Sequence, residues 1–201
     1  MSRRIPLTLA CGDYEIVRAL KDGTVQPDGI ELTVLTDMAS STRHWRFLRN
    51  NEFDVAEVSG SGYVAACDRG LPFRAIPVFL HRRFRHGFVF VNTSKGIQKP
   101  ADLIGRRVGA KGYLVTAVLW LRGILEHEYG VPHKSIEWFT ELDEDVDFTP
   151  PPDLRLTRLP HSASVEAMLV DGEVDALLHP DLIQPLMDRD PRVAPVRGLQ
   201  E

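Results

Sequence analysis

The sequence predicts an α/β protein of two lobes, built on mixed, mainly parallel sheets with helices on both faces. Three observations carry that expectation. Apolar runs of strand length alternate with segments whose apolar residues recur at helical spacing, the pattern of a parallel sheet buried under helices. The alternation is interrupted by a basic cluster at 82–86 and restarts near residue 90. Most segments are bounded by Gly, Asp-Gly or Pro, the residues that end helices and open turns.

In the first series, residues 5–11 form a short apolar strand that stops at Gly12-Asp13. Residues 14–21 place Ile16, Val17 and Leu20 on one helical face, and Asp22-Gly23 ends that helix. Gln26-Pro27-Asp28-Gly29 turns the chain into 30–35, a strand by strict alternation. A helix follows over 40–50 with Ser41 or Thr42 as its N-cap, then a strand over 53–58. Ser59-Gly60-Ser61-Gly62 reads as a tight strand-to-helix turn into a helix over 61–69, which Gly70 ends, and 73–80 reads as a further strand.

In the second series, 88–91 is a strand, Pro100 opens a short helix, 107–110 is a strand and 113–128 is the longest helix. Residues 136–139, 154–157 and 174–178 read as strands, with a helix over 164–170. The acidic, Pro-rich stretch 141–153 reads as a solvated loop, because no His accompanies its carboxylates at ligand spacing. The division expected is lobe one over 1–87, incomplete without a return segment, lobe two over 88–180, and a return linker and tail over 181–201.

Composition narrows the function. In 201 residues, 43% hydrophobic and 26% charged, disorder is excluded. A formal charge of -4 removes the footprint of a nucleic-acid binder. No apolar run has the length of a membrane helix. The start of the chain has no secretory h-region, and there are only two cysteines, Cys11 at a strand end and Cys67 on an apolar helix face. A reduced, cytoplasmic protein is expected. Dinucleotide, P-loop, hydrolase-elbow and zinc-protease motifs are absent from the sequence.

What remains is a set of polar residues at the carboxyl ends of the expected strands, where open α/β sheets bind ligands. They are Asp13 and Tyr14, Ser59 and Ser61, then Arg82, Arg83, Arg85 and His86. From the second series come Lys111, Tyr113 and Thr116 at the mouth of the long helix, Ser162 and Ser164, and His179. The run His81-Arg82-Arg83-Phe84-Arg85-His86 reads either as a carboxylate clamp or as a solvated basic loop paired with the acids around 143–147. The backbone amides before the long helix offer an anion site. His44, His127 and His133 read as surface or capping residues.

Leu9-Ala10-Cys11-Gly12-Asp13-Tyr14, Phe53-Asp54-Val55-Ala56-Glu57, and Ala75-Ile76-Pro77-Val78-Phe79 running into Arg82-x-Phe84-Arg85-His86 resemble the 4,5-dihydroxyphthalate decarboxylase-like family. Ala101-Asp102-Leu103-x-Gly105-x-Arg107-Val108-Gly109 and Trp120-x-Arg122-Gly123-Ile124-Leu125-x-x-Glu128-Tyr129-Gly130-Val131 extend the likeness. The resemblance implies a type II periplasmic-binding-protein-like fold with a ligand cleft between its lobes. Members of that family are longer, and the remainder is expected to return to lobe one.

The resemblance further implies a cofactor-independent decarboxylase of a small aromatic dicarboxylate, with no metal. On that reading Arg82 and Arg85 clamp a carboxylate and His86 is the general acid. Lys111, Tyr113 and Thr116 hold the catechol or second carboxylate, and Ser59 and Ser61 orient the ring. The alternatives are a non-catalytic solute-binding protein for a small anion, and a shortened paralogue without activity. A homo-oligomer is compatible with an incomplete lobe one.

Overall fold

A computed structural model describes residues Arg3–Leu199. The chain divides into two compact units, Met1–Arg82 and Arg83–Glu201.

In the first unit, β1 (Ile5–Ala10), β2 (Ile30–Leu35) and β3 (Val55–Ala56) form a parallel sheet in the order β2-β1-β3. β1 and β2 pair in full register, Ile5 with Ile30 through Ala10 with Leu35. The helix expected over 14–21 is a 3-10 turn, Glu15–Val17, followed by one α turn, α1 (Arg18–Lys21). Neither start has a side-chain cap, and so short a helix holds only by packing.

α2 (Ser40–Asn50) begins before the caps expected of Ser41 and Thr42. Its N-cap is Ala39, whose side chain can accept nothing, and it ends at Asn51 in the left-handed region. α3 (Gly60–Asp68) is capped by Ser59, whose Oγ accepts from the Gly62 amide at 3.3 Å. Gly62 is there for space, since a Cβ would stand 3.1 Å from the Leu48 side chain on α2.

The strand expected over 73–80 does not form. The Val78 amide turns back to the Ile76 carbonyl at 2.7 Å, a three-residue turn around Pro77 that breaks an extended ladder. Ile76 and Phe79 stay 65% and 69% exposed.

The second unit holds a six-stranded sheet in the order β7-β6-β5-β8-β4-β9. Its strands are β4 (Val89–Asn92), β5 (Arg107–Ala110), β6 (Glu137–Thr140), β7 (Leu156–Arg158), β8 (Ala176–Leu178) and β9 (Val193–Pro195). β5 pairs in parallel with β6 and β8, and β6 with β7, while β4 runs antiparallel to β8 and β9. The helices are α4 (Thr116–Tyr129), α5 (Val165–Asp171) and α6 (Gln184–Met187).

Strand alternation divides the core into two clusters. Val89 and Val91 of β4 and Ala176 and Leu178 of β8 join Leu121, Leu125 and Trp138 in one. Phe90 and Leu177 between them join Val165, Leu169 and Ile183 in the other. β4 and β8 therefore bury both of their faces, as a helix-covered sheet requires. Each large apolar side chain so buried contributes about 1.5–3 kcal/mol. α5 lies close on β5, and a Cβ on Gly109 would stand 3.1 Å from Val165.

Two readings of the second series need correction. The segment 181–201, expected as a return linker and tail, supplies α6 and places β9 beside β4 in this sheet. The acidic stretch 141–153 is anchored rather than freely solvated: Val146 is buried, and Glu141 and Glu144 both accept backbone amides.

Cys67 is exposed rather than packed, and Cys11 is buried. Among the described residues, no helix is long and apolar enough to cross a membrane, and no group of three His, Cys, Asp or Glu could hold a metal ion.

Candidate functional site

Each unit gathers polar groups where its parallel strands end. In the first, the ladder continues past β1 and β3, with the Cys11 amide bonded to Leu35 O and the Glu57 amide to Ala10 O. That register sets the Glu57 carboxylate beside the turn after β1. Its Oε2 accepts from the Gly12 amide at 2.9 Å and from Arg43 Nη2 at 2.7 Å, and its Oε1 accepts from the Tyr14 hydroxyl at 2.8 Å. Arg43, 1% exposed on α2, also donates to Met38 O at 3.1 Å.

Burial, then the bond to Glu57, pushes the Tyr14 hydroxyl up to about 12. Burial, then the Glu57 charge, raises the Cys11 thiol. Burial and the neighbouring Arg43 charge push His44 down to about 4, so it is no surface histidine. The Tyr14 and His81 rings stack with centroids 6.2 Å apart. Asp13 pairs with Lys21 at 2.8 Å on the surface. Ser59 and Ser61 share a hydroxyl contact at 3.0 Å, Ser59 serving as helix cap. Arg82 is exposed.

In the second unit, Ala110 pairs with Thr140 on one side and Leu178 on the other. These are the last residues of β5, β6 and β8, so the next ones, Lys111, Glu141 and His179, emerge side by side at the carboxyl edge. Lys111 Nζ is 2.6 Å from Glu141 Oε1, and Glu141 Oε2 accepts from the Val165 amide at 2.9 Å, a carboxylate at a helix start. Glu166, in the first turn of α5 behind the Ser164 cap, reaches the same edge. Its Oε1 lies 3.8 Å from Lys111 Nζ and 3.7 Å from His179 Nε2, both beyond hydrogen-bond length. Its Oε2 accepts from the Gln184 amide at 3.2 Å.

His179 is 7% exposed. Its Nδ1 lies 2.8 Å from Asp181 O and 3.2 Å from the Asp181 amide nitrogen, which donates to it. Among the described residues, Nε2 has no hydrogen-bond partner. Arg85 joins the row through the adjoining residue, donating to Pro180 O at 2.8 Å, while Arg83 pairs with Asp181. Burial, then the Arg83 charge, lowers the Arg85 guanidinium. The acids around 143–147 are thus not the partners of these arginines; Asp143 pairs with Arg158 at 2.9 Å.

Other expected site residues lie elsewhere. The amides of Tyr113 and Leu114 are held by the chain's own Glu144, at 2.6 and 3.0 Å, which fills the anion site expected before α4. Burial raises the Glu144 carboxyl despite those bonds. The Tyr113 ring is core: it packs 5.6 Å from both Trp138 and Phe148, with the Arg122 guanidinium 3.6 Å over it. Thr116 is the first residue of α4, and Ser162 is exposed in a turn. His86 contacts Glu128 at 3.4 Å, in an open groove of about 510 Å³ with Phe84, Phe88, Tyr129 and Leu199.

The residues that sequence reasoning passed over are Arg43, Glu141, Glu144 and Glu166, with Glu57 noticed only inside a motif. Glu141 could have been found by the signal that singled out Lys111, the first position after a strand. Glu166 follows the candidate Ser164 by two residues. Arg43 had no signal, since an arginine on a helix reads as surface.

Residues 15–150 match the NMT1/THI5 like family. The chain is 35% identical over 184 residues to the 4,5-dihydroxyphthalate decarboxylase of Comamonas testosteroni, covering 88% of this chain and 56% of that one. It is 32% identical over 185 residues to the 4,5-dihydroxyphthalate decarboxylase of Pseudomonas putida, covering 88% and 71%. The chain therefore spans little more than half the length of the first relative.

Among solved structures it resembles the periplasmic aliphatic sulphonate binding protein SsuA from Escherichia coli, with TM-score 0.60 and 16% identity over 96% of this chain and 60% of that one. It also resembles the alkanesulfonate-binding protein SsuA from Xanthomonas axonopodis pv. citri bound to MOPS, with TM-score 0.59 and 16% identity over 100% and 64%. At that identity the likeness fixes the fold, which is periplasmic-binding-protein-like.

Proposed function

The chain belongs to the 4,5-dihydroxyphthalate decarboxylase-like family, and on that premise we propose that it decarboxylates a small aromatic carboxylate bearing a second anionic group. The observation that carries the reading is the likeness to two relatives of that name along 88% of the chain. The edge of the second unit supports it, because a half-buried arginine stands there beside groups able to move a proton.

The reaction exchanges a carboxylate for a proton at a ring carbon. The carbon takes up the proton, the bond to the carboxylate breaks, its electron pair returns to the ring, and carbon dioxide leaves. Arg85 is assigned the carboxylate that stays, since a partly desolvated guanidinium gains most from an anion that accepts two parallel hydrogen bonds. His86 is given no step, because its groove shares no residue with the row at the carboxyl edge. Arg82 is given none either, being a solvated cation at the end of the first unit.

Calorimetry with 4,5-dihydroxyphthalate tests the reading. Sustained heat with release of carbon dioxide supports a decarboxylase. Heat that saturates at fixed stoichiometry means binding without chemistry and overturns it in favour of a solute-binding protein. Arg85→Ala is expected to weaken KM about 10- to 100-fold, the size of one charge-assisted contact.

A further inference from the structure

Whatever meets the row at the carboxyl edge of the second unit meets more acceptors than cations. The ammonium of Lys111 is already neutralised by Glu141 at 2.6 Å. Glu166 Oε1 has its two neighbours at 3.7 and 3.8 Å. His179 presents Nε2 towards Glu166 with no partner among the described residues. A buried ring nitrogen left without a partner costs free energy until a polar group of a ligand or a proton satisfies it. The Glu166 and Lys111 side chains are 23% and 25% exposed, so a ligand can reach the pair.

Beside Glu166 and His179, at the end of the row away from Arg85, a carboxylate is the wrong occupant. A group with O–H donors is the right one. We propose that Glu166, backed by the buried His179, forms a subsite for the ring hydroxyls of an ortho-dihydroxyaryl carboxylate, with Glu166 Oε1 as the acceptor of a hydroxyl proton.

The chemical step rests on the decarboxylase reading above. The hydroxyl para to the departing carboxylate gives its proton to Glu166 Oε1. The freed O–H pair forms C=O, and a ring electron pair moves to the carbon bearing the carboxylate, which takes a proton from water and leaves hydroxide. The carbon–carboxylate bond then breaks, its electrons restore the aromatic ring, carbon dioxide leaves, and the phenolate recovers its proton from Glu166. Glu166 is thus the catalytic residue. His179 is a positioning residue that stands behind the carboxylate, its Nε2 3.7 Å from Oε1. The other charged groups around it are Lys111 and Glu141 in the row, Asp181 beneath Nδ1, and Arg83 and Arg85 against residues 180–181.

Paired titrations of the protein with 4,5-dihydroxyphthalate and with phthalate, which lacks the hydroxyls, test the subsite with or without turnover. The unaltered protein is expected to favour the dihydroxy compound by about tenfold or more, the value of one hydrogen bond to a charged group. Glu166→Gln keeps the bond to the Gln184 amide and is expected to weaken only the dihydroxy compound, bringing the two ligands within about threefold. His179→Asn, a second and independent variant, is expected to move the acidic limb of the kcat–pH profile while phthalate affinity stays unchanged. Equal weakening of both ligands in either variant, or no preference in the unaltered protein, overturns the subsite. Turnover without a Glu166-dependent preference leaves the decarboxylase and removes the subsite. A Glu166-dependent preference without turnover does the reverse.

Discussion

Two carboxylates, one in each unit, stand where parallel strands end, and they are held in opposite ways. Both oxygens of Glu57 accept from the protein itself, through a guanidinium, a backbone amide and a phenol. One oxygen of Glu166 is anchored to a backbone amide, and the other has an ammonium and an imidazole standing off at nearly equal distance. A carboxylate with both oxygens engaged by the protein, three hydrogen bonds in all, is a fastener. It orders the turn after β1 and has little left for a ligand. A carboxylate anchored by one oxygen, with the neighbours of the other beyond hydrogen-bond length, is positioned without being consumed. The carboxyl edge of a sheet is where ligands bind in this class of fold, and the difference in saturation separates the edge positions that hold the fold from those that can meet a substrate.

The largest test of that contrast is to undo the fastener. Glu57→Ala leaves the Arg43 guanidinium buried without its partner and strips the acceptor from Tyr14 and Gly12. Losing one member of a buried pair costs about 3–5 kcal/mol. Hydrogen exchange read separately over 3–82 and 83–199 is expected to show the loss in the first unit alone, with the second as internal reference. Glu166→Gln, by the same measure, is expected to leave protection in both units within about 0.5 kcal/mol, as for a substitution outside a packed network. If the two variants destabilise equally, Glu166 is a fastener as well and the contrast fails.

These assignments also show how far the sequence could be read. The alternation of 30–35 and the run 107–110 match β2 and β5 residue for residue, because apolar period and turn chemistry act over a few neighbouring positions. The run 73–80 has the same apolar character, yet no strand lies against it; whether an extended run becomes a strand is decided by a partner that local pattern does not contain. The site follows the same division. Lys111 and His179 were legible because strand ends are. Glu141 and Glu144 were lost in an acidic stretch whose composition reads as solvated, and only the fold reveals that backbone amides receive both. Tyr113 erred in the other direction, since a tyrosine near a helix start carries no mark that its ring faces Trp138 and Phe148.

A smaller effect sharpens the picture of the first unit as a closed network. His44 lies beside Arg43, and burial and that charge hold it near 4 against an ordinary value of about 6.5. Above pH 6.5 the imidazole is neutral in folded and unfolded chains alike. As pH falls from about 6.5 to 4, the unfolded chain takes up the proton and the folded unit resists it, so stability declines across that window and levels off below it. The expected loss is on the order of 3 kcal/mol. Thermal unfolding between pH 4 and 7 should carry this slope, and His44→Gln should flatten it. A slope that survives the substitution places the titration elsewhere.

The smallest expected effect concerns another imidazole of the second unit. His86 sits with Glu128 at 3.4 Å, the two side chains 31% and 54% exposed, and a pair so open to water contributes little to stability. Its groove is rimmed by Phe84, Phe88, Tyr129 and Leu199, which offer an aromatic ring contact area but place no second polar group against the imidazole. A positioned general acid is worth about 10²–10⁴-fold in rate. In the proposed step Glu166 takes the hydroxyl proton and water protonates the ring carbon, so no general acid is asked of His86, and His86→Ala is expected to change kcat by less than about threefold, with unfolding unaffected. A hundredfold loss in that variant, with Glu166→Gln near full rate, would transfer the proton step to the His86 groove. The open carboxylate of Glu166 would then be a surface acid that happens to stand at a strand end, and saturation alone would not distinguish a reactive edge from an idle one.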